Sequence, residues 1–122
     1  MILKYITEIV EIGPMVSEFI NEKILVFFKI GAPPELVEFS IIHEPKTAFT
    51  DVEKNDFIEI DQEKYKILAV GDRANKNIRE LGHLVVKFNG SQTTRLPGDI
   101  CVEKKRIPTI KTGSIIKIFK DS

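Results

Sequence analysis

Short runs rich in isoleucine, valine, phenylalanine and tyrosine, each broken by glycine, proline, asparagine or aspartate, constrain this chain more than any other feature. Runs of this kind suit extended backbone, where branched and aromatic side chains pack on a pleated surface. The pattern predicts eight strands, approximately over residues 3–12, 23–30, 37–43, 57–60, 65–70, 83–88, 100–103 and 114–119. Gly13-Pro14, Gly31-Ala-Pro-Pro34, Asn89-Gly90, Pro97-Gly98 and Thr112-Gly113 separate them. Each of these supplies either a free φ or a fixed φ with no donor, which is what turns need.

One helix is expected after the fifth strand. Asp72 is placed to cap its opening amides, Ala74, Ile78 and Leu81 give one apolar stripe, and Gly82 offers a left-handed stop. A second candidate opens at Pro14, with Met15, Val16, Phe19 and Ile20 on its apolar face. The fold class that follows is all-β: a closed or barrel-sandwich antiparallel β-barrel with one or two short helices. At 122 residues, without a linker or low-complexity stretch, one domain over residues 1–122 is expected.

Cys101 is the only cysteine, so no intrachain disulfide can form. Residues 1–12 alternate apolar positions with Lys4, Glu8 and Glu11 and lack the apolar core of a secretory signal. The longest apolar run, residues 24–28, falls far short of the about 20 residues a spanning helix needs. A cytoplasmic protein with no direct membrane insertion is expected.

The 18 basic and 18 acidic residues cancel. That balance argues against a protein that gains affinity by neutralising nucleic-acid phosphates. The charges are nonetheless segregated: residues 35–63 carry nine acids and two bases, and residues 64–122 thirteen bases and five acids. Two readings stand, an electrostatic docking surface, or halves that interleave in one barrel so that their charges mix.

His43 and His83 are the side chains that titrate naturally near neutral pH. In a strand over residues 37–43, alternation sets Phe39, Ile41 and His43 on one face and Ser40, Ile42 and Glu44 on the other. Pro45 should end the ladder, leaving His43 at an accessible strand end. A neutral imidazole with one bare nitrogen, its other N–H held by an acceptor, is suited to nucleophilic attack on phosphorus. Lys46 and Thr47, in the following loop, are candidate donors to the transferring group. The alternative is a packed strand histidine with its hydrogen bonds satisfied, and His83 can likewise be a packing or turn residue. Two histidines and one cysteine scattered along the chain do not form a metal-ligand pattern, so neither metal nor cofactor is expected.

The segments Gly31-Ala-Pro-Pro-Glu-Leu-Val-Glu-Phe-Ser-Ile-Ile-His43, Ala69-Val-Gly71, Asn77-Ile-Arg-Glu-Leu-Gly-His83, Leu96-Pro-Gly98 and Thr112-Gly-Ser114, in this order and spacing, carry a resemblance. The chain resembles the glucitol/sorbitol-specific IIA component of the bacterial phosphoenolpyruvate-dependent sugar phosphotransferase system. The resemblance implies a β-barrel with phosphotransferase activity. In it, His43 accepts a phosphoryl group from the phosphocarrier HPr and passes it to the IIB part of a membrane permease built from IIB and IIC components. His83 matches a Gly-His of the family and is assigned a supporting role, either contacting the phosphoryl group or orienting His43. Members can carry a second histidine two positions beyond the phosphorylated one, where this chain has Pro45. A noncatalytic barrel that binds or regulates is the competing function.

Overall fold

The structure, a computed structural model, describes residues 1–121. The chain runs β1 (Ile2–Ile12), α1 (Val16–Asn21), β2 (Ile24–Lys29), α2 (Pro34–Val37), β3 (Ile41–Pro45), β4 (Phe57–Ile60), β5 (Glu63–Val70), α3 (Ala74–Leu81), β6 (Leu84–Lys87), β7 (Asp99–Val102) and β8 (Ile115–Lys120). The eight strands close into a barrel in the order β1-β3-β2-β6-β7-β5-β4-β8. Closure follows from the alternation: Leu25 and Phe27, Ile58 and Ile60, Tyr65 and Ile67, Leu84 and Val86, and Ile116 and Ile118 all turn inward and are buried. An eight-stranded barrel is just wide enough for such side chains to fill it. Each large apolar side chain removed from water contributes about 1.5–3 kcal/mol.

Two pairings depart from the antiparallel expectation: β2 with β3 and β6 with β7 run parallel. The connections over residues 30–40 and 88–98 are long enough to carry the chain back to the end it started from. The first holds α2, which the sequence reading assigned in part to a strand. The consecutive prolines Pro33 and Pro34 favour the first turn of a helix, and Ser40 closes its end by donating from Oγ to the Leu36 carbonyl. The strand therefore starts at Ile41 and not at Val37.

Helix α3 forms where expected and ends at Gly82, in the left-handed conformation with φ of 60°. Asp72 does not cap it. Backbone carbonyls do that work, Gly71 accepting from the Ala74 amide and Pro97 from that of Arg73. Ala74 and Ile78 are buried against the barrel, whereas Leu81 lies out of the stripe at 51% exposure.

The charged halves interleave. Acidic β4 pairs with β5 on one side and β8 on the other, with Glu59 opposite Lys64 and Lys117. A buried ion pair ties β1 to the acidic segment, Lys4 bonding Asp56 at 2.7 Å, and Lys4 also reaches the exposed Glu53 at 3.0 Å. None of the described helices is long and apolar enough to cross a membrane.

Candidate functional site

His43 sits in the middle of β3, between β1 and β2, opposite Ile9 in one neighbour and Lys29 in the other. The expected alternation holds over the residues that form the strand: Ile41 and His43 point into the barrel and Glu44 points out. The accessible strand end does not. His43 is 0% exposed, because the strand continues through Pro45 and the ring turns inward, away from the loop that follows. The rings of Tyr5 and Phe27 meet it edge-on at centroid distances of 6.2 and 6.0 Å.

Both ring nitrogens are engaged. Nε2 lies 2.7 Å from the Gly82 carbonyl oxygen, and Nδ1 lies 2.5 Å from Thr7 Oγ1. A carbonyl only accepts, so Nε2 carries the proton. Burial lowers the His43 pKa, the Gly82 carbonyl opposes that effect, and the Lys29 charge adds to it. The net direction is downward, so the ring is neutral around pH 7. Nδ1 is then a bare lone pair that accepts from the Thr7 hydroxyl. The tautomer is thus set by one backbone carbonyl and one side-chain hydroxyl.

Gly82 reaches Nε2 because nothing else fits at its position. A Cβ there would stand 2.5 Å from Lys29 Cβ, and φ is positive. Both conditions select glycine. The helix stop read from the sequence is therefore also what delivers a carbonyl to the histidine.

The other predicted residues lie elsewhere. His83 is outside the barrel wall, half-buried and stacked on Phe28 at 4.1 Å, with Nδ1 3.1 Å from the Phe27 carbonyl oxygen. Its ring makes no hydrogen bond with that of His43. Lys46 pairs with Glu44 and Glu8 in solvent. Thr47 Oγ1 accepts from the Ile6 amide and donates to the Ala48 carbonyl. Neither contacts His43. Outside the wall, beside Gly82, a shallow apolar groove is lined by Phe28, Ile30, Pro33, Leu36 and Leu81. Ile30 and Leu81 are each about half exposed in it.

The family model described as the PTS system glucitol/sorbitol-specific IIA component matches residues 4–117. This chain belongs to that family. It is 31% identical over 117 residues to the PTS system glucitol/sorbitol-specific EIIA components of Shigella flexneri and of Escherichia coli strain K12, covering 96% of this chain and 95% of each relative. Its fold is similar to a crystal structure described as the PTS system IIA component from Enterococcus faecalis V583. That match has a TM-score of 0.84 at 22% identity and covers 93% of this chain and 98% of the other.

In this IIA component the sequence reading had singled out His43 but missed Thr7 and treated Gly82 only as a stop. A signal for Thr7 was present: it falls on the inward face of β1 between Tyr5 and Ile9, and a hydroxyl sent into an apolar barrel needs a partner. No comparable signal marks the Gly82 carbonyl, which depends on how closely α3 approaches β2.

Proposed function

We propose that this IIA component is a cytoplasmic phosphoryl carrier, taking the group from the phosphohistidine of HPr onto His43 and passing it to the IIB part of a glucitol/sorbitol permease. The observation that carries the reading is the state of the ring: neutral, with one nitrogen unprotonated and the other N–H fixed by a carbonyl. A neutral imidazole keeps a lone pair on whichever nitrogen its proton does not occupy, and that lone pair is the nucleophile. In the transfer a new N–P bond forms at His43 while the N–P bond of the incoming phosphohistidine breaks, its electron pair returning to the donor ring.

Since the ring is covered at rest, the reading requires an opening. The Gly82–His83 peptide is the proposed place, because it closes over Nε2 and borders an exposed apolar groove where a partner protein can dock. His83 would then orient His43 through this shared peptide, from outside the wall.

Incubation with phosphoenolpyruvate, the general transferase and HPr should give an acid-labile, base-stable label on the chain. His43→Gln should abolish it, and a label that persists in that variant rejects the site. The full burial of His43 favours a second reading, a barrel that binds without transfer, and this predicts no label on the unaltered chain.

A further inference from the structure

The two sides of the His43 ring differ in how they can be reached. Thr7, on the Nδ1 side, is 1% exposed in a strand paired on both flanks, opposite Pro45 in β3 and Ile116 in β8. Clearing a path there would separate two strand ladders of the barrel. Gly82, on the Nε2 side, is the last residue of a helix turn, without a side chain, beside a surface groove. Gly82 is itself buried, with its amide and that of His83 bonded to carbonyls of α3, so uncovering the nitrogen requires moving this cap peptide but no strand ladder. A phosphorus atom carried by another protein therefore meets Nε2, and Nε2 must have lost its proton before it can attack.

Resting on the reading of His43 as acceptor, we propose that Thr7 is the positioning residue of the transfer: its hydroxyl donates to Nδ1 while Nε2 carries the proton, and accepts from Nδ1–H once Nε2 is bare. A hydroxyl can reverse direction in this way, whereas a carbonyl, a valine or an alanine cannot. The ring stays neutral through the change: Nε2 gives a proton to water admitted by the opening, and Nδ1 takes one as the ring swings toward that same opening, before its hydrogen bond to Thr7 re-forms. The Nε2 lone pair then forms the N–P bond, the donor's N–P bond breaks, and the proton on Nδ1 remains, held by Thr7.

The test compares Thr7→Val, which keeps the shape and removes the hydroxyl, with Thr7→Ser, which keeps the hydroxyl. Two readouts apply: the rate of phosphoryl labelling from HPr, and the ¹⁵N chemical shifts of the His43 ring in the unphosphorylated protein. Loss of the partner that orients a metal-bound histidine typically costs 10–100-fold, and an effect of the same order is expected here, so Thr7→Val should label about 10–100 times more slowly. Its His43 Nδ1 resonance should move toward that of an unbonded nitrogen, and Thr7→Ser should stay within a few-fold of the unaltered chain. A Thr7→Val chain with unchanged rate and unchanged ring shifts overturns the proposal, and so does a Thr7→Ser chain as slow as Thr7→Val. Persistence of label in His43→Gln is a separate result: it removes the acceptor itself, whatever Thr7 does.

Discussion

His43 and His83 are joined through a single peptide group: the carbonyl that accepts from His43 Nε2 belongs to Gly82, and the nitrogen of that same peptide is His83's own. The inner histidine is thus tethered to the outer one by backbone, although the rings occupy opposite sides of the wall. Whatever moves His83 at the surface, where it stacks on Phe28, also moves the acceptor of the buried ring.

Gly82→Ala is expected to disturb both stability and the histidine. The left-handed conformation costs a residue with a Cβ about 1–2 kcal/mol, and the approach to Lys29 adds to that. A loss of about 2–4 kcal/mol in chemical unfolding is predicted. The His43 ring resonances should shift with it, because the carbonyl is displaced from Nε2.

The lowered pKa of His43 gives a pH dependence of definite sign. The unfolded chain takes up a proton near the ordinary value of 6.5, and the folded chain only at lower pH. Stability is therefore fully present above about 6.5 and is lost as pH falls from there toward the folded value, by up to about 1.4 kcal/mol per pH unit. Thermal unfolding of the unaltered chain and of His43→Gln between pH 5 and pH 8, a span of about three units, should diverge below about 6.5, with the variant losing less.

Lys4→Met removes the cation between Asp56 and Glu53. Asp56 is 2% exposed, so its charge would be left buried without a cation, held only by the Glu53 amide. A loss of about 3–5 kcal/mol is expected in denaturant unfolding. Replacing Asp56 by Asn in the same chain should recover part of it, since the stranded charge is the source of the cost.

Cys101 is buried in β7, and burial pushes its thiol pKa up. Reaction with a water-soluble thiol reagent at pH 8 should be slow in the native protein and complete soon after denaturant is added. Rapid native labelling would mean that β7 opens without global unfolding.

Most strands were legible because each carries a period-two apolar pattern bounded by turn residues: residues 57–60 were read with the observed limits, and β1, β5 and β8 within two residues. The parallel pairings were not, since which strand a long connection returns to is decided by closure of the whole barrel and not by any local run. The segment after Gly31 misled for a different reason: Val37 and Phe39 look like strand residues until Pro33 and Pro34 impose a helical turn. At the candidate site, the face that His43 shares with Ile41 was readable from the alternation along β3. Its burial was not, because a strand pattern tells which residues share a face but not which face closes on the core. Thr7 lay 36 residues away in sequence and Gly82 39, so neither partner could be found without the fold that joins them.

A ring of eight paired strands leaves no row of unsatisfied amides and carbonyls for another chain to extend. Any protein that recognises this molecule must therefore do so through outward side chains, helices and connecting loops, reading shape and chemistry instead of adding a strand. The same continuity removes the usual template for edge-to-edge self-association, so copies of this chain that meet must do so through outer side chains such as Ile30 and Leu81.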